Sequence, residues 1–169
     1  MVQRVRSSAV HVGDESVAQT GPGLAILLGV ANDDRPEDGE RLAAKILALR
    51  IFDDERGKLD RTVLEAGGAV LVVPQFTLYG DVRHGRRPDF AHAAPPDMGR
   101  RLFDAFCGTL RGANATVAQG RFGANMRVDI ESDGPVTIVV STDGWAEGDL
   151  GKKVPRVTKS PARDEKSRA

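Results

Sequence analysis

The sequence predicts an α+β fold, in which two helices pack on a mostly antiparallel or mixed sheet. Many short apolar or alternating stretches, separated by Gly, Pro and Asp, are typical of strands. Only two stretches have helical spacing, and they do not alternate regularly with the strands. A length of 169 residues suits one domain, and a hydrophobic fraction of 40% is enough to bury a core.

The first third of the chain predicts three strands. Residues 2–12 alternate between apolar and polar side chains, which favours a strand. A turn at residues 13–14 precedes a short second strand near residues 16–19. Residues 24–30 form a continuous apolar run that indicates a buried strand.

The first helix is expected to begin in residues 33–37, where acidic residues surround Pro36. Leu42, Ile46 and Leu49 recur at helical spacing, and the helix is expected to end near Arg50. A short strand at residues 51–52, a charged loop at residues 53–59 and a buried strand at residues 69–76 are expected to follow.

The second helix follows a long irregular loop, residues 80–96, and loops of that length are often functional. The helix opens at Pro95 and Pro96, with Gly112 as the expected C-cap. Strands are predicted at residues 115–119, 125–131 and 136–141, the last two joined as a hairpin. Apolar residues become rare after Thr142, so we expect a domain of residues 1–141 and a tail of residues 142–169.

The tail carries the positive charge of the chain. From Lys152 onward there are seven Lys or Arg and two Asp or Glu, so this segment is +5 and residues 1–151 are −5. A basic tail can attract nucleic acid, but a solvated, disordered end is the other interpretation.

Composition also predicts the compartment. The chain has one cysteine, no apolar run after Met1 and no stretch of about 20 apolar residues. These features favour a reducing, cytoplasmic location without membrane contact.

No common catalytic set stands out. His11, His84 and His92 lack the spacing of metal ligands, and Cys107 is expected to be a small buried thiol, so neither a metal nor a cofactor is predicted. Gln75, Phe76 and Thr77 place polar groups at the end of a buried strand. They are either a strand fading into a loop or a site whose main-chain N–H groups hold an oxyanion.

Several ordered motifs resemble the D-aminoacyl-tRNA deacylase family. Residues 73–80 (VPQFTLYG) resemble its first signature and residues 132–137 (SDGPVT) its second. Residues 3–5 (QRV), 85–90 (GRRPDF) and 120–126 (GRFGANM) are also similar, so the resemblance covers about residues 1–141. Pro74 and Ser132 stand where the family usually has Ser and Asn.

The resemblance implies a compact β-barrel-like α+β domain that acts as a homodimer without a cofactor. The implied activity is hydrolysis of D-aminoacyl-tRNA, which is chiral proofreading in translation quality control. Glycyl-tRNA is expected to be hydrolysed as well, because glycine has no side chain. Gly134 and Pro135, joined by a cis peptide in the family, would reach into the partner's site. Arg4 matches the arginine that helps hold this motif.

The same resemblance implies roles for further residues. Gln75, Phe76 and Thr77 would form the catalytic strand end, with main-chain N–H groups at the oxyanion and the Thr77 hydroxyl orienting water or attacking directly. Residues that would cradle the terminal adenosine are Phe122, Gly123, Ala124 and Met126, although Phe122 and Met126 suit the core equally well. Arg83, Arg86 and Arg87 would meet tRNA phosphates, with a solvated loop as the equal alternative.

Two other functions remain open at this point. The related animal-type tRNA deacylases begin the first motif with Pro-Gln, as here at Pro74 and Gln75, and remove alanine wrongly loaded on threonine tRNA. A different class is a non-enzymatic nucleic-acid-binding dimer, in which the basic tail dominates.

Overall fold

The computed structural model describes residues 1–142, and the predicted tail from residue 143 onward lies outside the described residues. Eight strands and three helical segments form the described part. They are β1 (Val2–Val12), β2 (Glu15–Thr20), β3 (Gly23–Leu28), α1 (Pro36–Leu47), β4 (Phe52–Asp53), β5 (Leu59–Arg61), β6 (Ala69–Pro74), a 3₁₀ helix (Phe76–Tyr79), α2 (Pro96–Gly112), β7 (Thr116–Gln119) and β8 (Arg127–Ile138).

The main sheet is mixed, as the sequence predicted. Its order is β2-β1-β3-β6-β7, and β8 pairs with β1. The β1 strand is antiparallel to β2, β3 and β8, whereas β3, β6 and β7 run parallel. The parallel pairs need crossover connections, and α1 and α2 lie in those connections. The predicted α+β class is therefore confirmed, and the sheet curls towards a closed, barrel-like form in which β2 lies against β6 and β7.

The central strands β3 and β6 are buried on both faces of the sheet. Along β6, Val70 and Val72 pack with the two helices, while Leu71 and Val73 face a second apolar cluster inside the curled sheet. This arrangement explains the continuous apolar runs of β3 and β6, because a strand covered on both sides has no polar face.

The two helices pack against each other on one side of the sheet. The α1 helix begins at Pro36 as predicted, and the Asp38 carboxylate accepts a hydrogen bond from the Arg35 N–H at 2.9 Å, which helps lower the pKa of Asp38. It ends at Leu47, before the predicted Arg50. In α2, Gly112 is still helical and Ala113 is the C-cap, so the C-cap prediction was wrong by one residue. Within residues 1–142, neither helix has the length and apolar character needed to cross a membrane.

The predicted hairpin at residues 125–141 is wrong. Glu131 pairs with Ser7 and Ile138 with Val2, so both halves continue antiparallel to β1 in the same direction. Between them the register skips at Arg4, and residues 133–136 bulge out of the strand. The Gly and Pro that suggested a reversal of the chain produce a bulge, because β1 continues to pair with the strand on either side.

The β6 strand ends at Pro74, earlier than the predicted residue 76, and the 3₁₀ helix follows. Pro74 is the last residue of β6 and lies opposite Leu28 of β3. On the other side β7 ends at Gln119, which pairs with Val72, so no β7 residue pairs with Pro74. A proline is accommodated there because its missing N–H costs no ladder hydrogen bond.

Candidate active site

A cleft of about 580 Å³ opens at the carboxyl ends of β3 and β6. Crevices at this end of parallel strands are common binding sites, since the chain leaves the sheet there and its polar groups are free to face a ligand. The start of α2 and residues 122–128 form the opposite walls. A second cavity, of about 270 Å³, lies between the sheet and the helices, but none of the predicted site residues lines it.

Gln75, Phe76 and Thr77 lie where β6 passes into the 3₁₀ helix. The Gln75 N–H donates to the Leu28 carbonyl at 2.8 Å, which fixes the strand end against β3. Phe76 and Thr77 then open the helix, and the first N–H groups of a helix have no acceptor within it. Neither N–H has an acceptor among residues 1–142, so both can donate to a ligand.

The side chains at this turn are tied to each other. The Gln75 amide donates to the Thr77 hydroxyl oxygen. The Phe76 ring is 58% exposed and meets the Phe90 ring edge-on, with centroids 5.0 Å apart. Phe90 therefore supports the turn from the long loop, a contact that the sequence did not predict.

Among the described residues, no side chain that lines the cleft is an acid, a lysine, an arginine or a histidine. Within the described residues the cleft wall therefore supplies no side-chain general base. The groups that it offers to a reacting carbonyl are main-chain dipoles and the side-chain amides of Gln75 and Asn125. The Thr77 hydroxyl lies outside this lining and contacts the Gln75 amide. No cluster of three His, Cys, Asp or Glu side chains suited to a metal occurs in residues 1–142.

The structure brings all four predicted adenosine-cradling residues to the same cleft: Phe122, Gly123, Ala124 and Met126. Phe122 is half-buried, 6.1 Å from the ring of Phe103, and Arg100 of α2 lies 4.9 Å above it. Met126 also packs against the apolar cluster inside the sheet. Both side chains therefore serve the core and line the cleft.

Gly134 and Pro135 lie elsewhere on the chain. Both are exposed, they form the bulge in β8 and neither lines the cleft of the same subunit. The peptide between them is cis, as the resemblance implied. Gly134 has a φ of +115°, and a Cβ there would lie 2.9 Å from the Val136 nitrogen, so another residue would displace the turn.

Arg4 anchors this bulge. Its Nε lies 3.0 Å from a carboxylate oxygen of Asp133 and donates to the Asp133 carbonyl at 3.4 Å. Its Nη1 donates to the Ile51 carbonyl at 2.9 Å and lies 3.3 Å from Asp53. Arg4 is only 7% exposed, so these partners compensate for burying its charge. The contacts of Asp53 and Asp133 were not predicted, because sequence spacing gives no sign that residues so distant meet.

The long loop carries the predicted tRNA-contacting arginines. Asp81 and Asp89 exchange main-chain hydrogen bonds of 2.7 and 2.9 Å, which close residues 82–88 into a projecting hairpin. Arg83 pairs with Asp81 and holds the pKa of that carboxyl well below its usual range. Arg86 and Arg87 are exposed in the hairpin, and no described residue forms an ion pair with either.

Comparison with known proteins places the chain in a family. A family model described as D-Tyr-tRNA(Tyr) deacylase matches residues 1–141. A D-aminoacyl-tRNA deacylase of Desulforudis audaxviator (strain MP104C) is 51% identical over 142 residues, which are 84% of this chain and 95% of the relative. A D-aminoacyl-tRNA deacylase of Cronobacter sakazakii (strain ATCC BAA-894) is 47% identical over 137 residues, which are 81% of this chain and 94% of the relative.

Solved structures agree with the fold. One, titled c-Myc DNA Unwinding Element Binding Protein, is 39% identical with a TM-score of 0.77, and covers 81% of this chain and 93% of that one. A second, described as a probable eukaryotic D-amino acid tRNA deacylase, has a TM-score of 0.69 at 22% identity. The match covers 79% of this chain and 93% of that one. The predicted family and enzyme class are confirmed, and the chain belongs to the D-Tyr-tRNA(Tyr) deacylase family.

Proposed function

We propose that the chain hydrolyses the ester bond of D-aminoacyl-tRNA in the cytoplasm, and that it judges chirality with Gly134 and Pro135 supplied by a second subunit. The observation that carries the proposal is the placement of this pair. It is exposed and anchored by a buried arginine, yet it does not line its own cleft. An anchored motif that cannot serve its own cleft suits the cleft of a partner.

The proposed selection is steric. Proline restricts φ, so the carbonyls of Gly134 and Pro135 form a fixed wall on one side of the substrate Cα. They accept hydrogen bonds from the substrate ammonium group, and charge-assisted bonds of this kind are strong. An L side chain points into the wall and is rejected, whereas a D side chain points outward and its size matters little. Glycine has no side chain to clash, so glycyl-tRNA is expected to pass.

The proposed chemistry is attack by water on an activated ester. Water adds to the ester carbonyl, and the N–H groups of Phe76 and Thr77 hold the oxyanion that develops. The bond to the ribose oxygen then breaks, and that oxygen takes a proton as free tRNA leaves. The tRNA end is placed with its adenosine against Phe122, Gly123, Ala124 and Met126. Because no ionisable side chain from residues 1–142 lines the cleft, the ribose 2′-hydroxyl is the proposed aid to the water.

The test is deacylation of paired substrates. Purified protein should release D-tyrosine from D-Tyr-tRNA and leave L-Tyr-tRNA intact, because only the L side chain meets the wall. Equal action on the two would refute the chiral proposal. Faster release of alanine from Ala-tRNA(Thr) than of D-tyrosine would instead favour the alanine proofreader, which the Pro74-Gln75 pair keeps under consideration.

A non-enzymatic nucleic-acid-binding dimer is the second candidate, since one similar solved structure is titled as a DNA-element-binding protein and the predicted tail is basic. Deleting residues 152–169 separates the two functions. Deacylation should survive the deletion under the main proposal. Loss of nucleic-acid binding, with no deacylation before or after the deletion, would favour the binding protein.

A further inference from the structure

Asp53 lies on the two-residue strand β4 and is not among the residues that line the cleft. Its side chain is 52% exposed, but one carboxylate oxygen approaches Nη1 of Arg4 at 3.3 Å. The carbonyl of Ile51, just before β4, accepts a hydrogen bond from the same nitrogen at 2.9 Å. The segment around β4 therefore holds Nη1 of the Arg4 guanidinium.

The opposite side of that guanidinium holds the bulge. Nε of Arg4 contacts both the carboxylate and the carbonyl of Asp133, the residue directly before Gly134. The guanidinium is planar and rigid, so a shift at its Nη1 end also moves Nε. Asp53 and the Gly134–Pro135 turn are thus joined by a single buried side chain.

Charge balance makes Asp53 hard to replace. Two arginines, Arg4 and Arg6, meet two carboxylates, Asp53 and Asp133. Without the charge of Asp53, the Asp133 carboxylate would be the only negative charge left to balance both arginines. Arg6 is 70% exposed and can turn to water, but Arg4 cannot. Arg4 would then be drawn towards Asp133 and would displace the turn.

We propose that Asp53 is a positioning residue, which sets the place of Gly134 and Pro135 through Arg4 and thereby the preference for D over L substrates. The inference rests on the proposed function, in which those two carbonyls form the chiral wall. A displacement of the wall by a fraction of an ångström admits the L side chain, whereas the oxyanion N–H groups of Phe76 and Thr77 stay in place.

The test is Asp53→Asn, which keeps the shape of the side chain and removes its charge. The ratio of D-Tyr-tRNA to L-Tyr-tRNA deacylation rates should fall roughly ten- to a hundred-fold, chiefly because the L rate rises. The matched control is Asp60→Asn on β5, where an equally exposed carboxylate pairs with Arg50 at 2.8 Å. The control should leave the ratio unchanged.

A second measurement does not depend on activity. The ¹H–¹⁵N chemical shifts of the Gly134 and Val136 amides should change in Asp53→Asn, because the turn is displaced, and should stay as in the wild type in Asp60→Asn. Unchanged shifts in Asp53→Asn would overturn the inference, as would an unchanged ratio or a parallel fall of both rates with a lower Tm. A wild-type protein without any preference would overturn the proposed function, and the chemical shift of the Gly134 amide would still decide whether Asp53 positions the turn.

Discussion

Thr77 shows how main-chain and side-chain chemistry can be separated at a single residue. Its hydroxyl accepts a hydrogen bond from Gln75, and no ionisable side chain lines the neighbouring cleft in the described part of the chain. Its N–H, which a substitution by alanine leaves in place, is the group that we propose holds the oxyanion. The side chain and the main chain of this residue are therefore expected to differ in importance.

Thr77→Ala should remain an active deacylase. We expect kcat/KM for D-Tyr-tRNA to fall by about tenfold or less, the value of one hydrogen bond. Gln75→Ala, which removes the partner of that hydroxyl, is the matched comparison and should give a similar loss. A fall of about a thousandfold or more in Thr77→Ala would contradict main-chain catalysis and would make the hydroxyl the nucleophile.

Cys107 is the buried thiol that the sequence predicted. Burial in α2 raises its pKa from 9.0 to about 11, because the thiolate would lose its hydration. The unfolded chain ionises first as pH rises, so the stabilising contribution of the neutral thiol is complete below pH 9 and is lost between pH 9 and about pH 11. The free energy of unfolding should therefore fall more steeply over that range in the wild type than in Cys107→Ala. Equal slopes in denaturant titrations would show that the thiol is not desolvated.

At the scale of elements, the projecting hairpin of residues 82–88 makes a separate prediction. Arg86 and Arg87 have no ion-pair partner among the described residues, so they are available to phosphates. Replacing both with Ala should raise KM for D-Tyr-tRNA, leave the D/L ratio intact and reduce the salt dependence of log KM by about one unit for each phosphate that the arginines neutralise. Lys58→Ala, an exposed cation on the β4–β5 hairpin, is the control. An unchanged salt slope in the double variant would identify a solvated loop.

Element boundaries show where sequence reasoning succeeded and where it failed. Helical spacing located both helices, because an amphipathic stripe is a local property of the chain. Pro36 also marked the start of α1. The Gly134–Pro135 pair suggested a turn between two strands, but its role depends on β1, which lies more than a hundred residues away. The strand β5 was missed within a charged loop, because its three exposed residues carry no apolar pattern.

The candidate site was predicted in part for the same reason. Motif resemblance identified Gln75, Phe76 and the residues around Phe122, and the fold brings these to one cleft. Thr77 follows Phe76 in the 3₁₀ helix and is not among the residues that line that cleft. The supporting contacts of Phe90, Asp53 and Asp133 depend on three-dimensional proximity alone. Resemblance therefore indicates which residues matter, while the fold shows what holds them.

At the scale of the whole molecule, we propose that the Gly134–Pro135 wall of one subunit completes the cleft of another. Because a single chain presents the wall and the cleft separately, we expect the enzyme to assemble at least as a pair. In solution the protein should have twice the chain mass of 18.1 kDa. A monomeric protein with full chiral selectivity would be incompatible with a wall lent by a partner.

The most direct measurement is a crystal structure of the protein with adenosine carrying D-tyrosine through a non-hydrolysable amide. We expect the carbonyl oxygens of Gly134 and Pro135 of one subunit to lie about 3 Å from the ligand ammonium in the cleft of the other. The amide oxygen should face the N–H groups of Phe76 and Thr77. A complex in which Gly134 and Pro135 face solvent, far from every occupied cleft, would contradict the account.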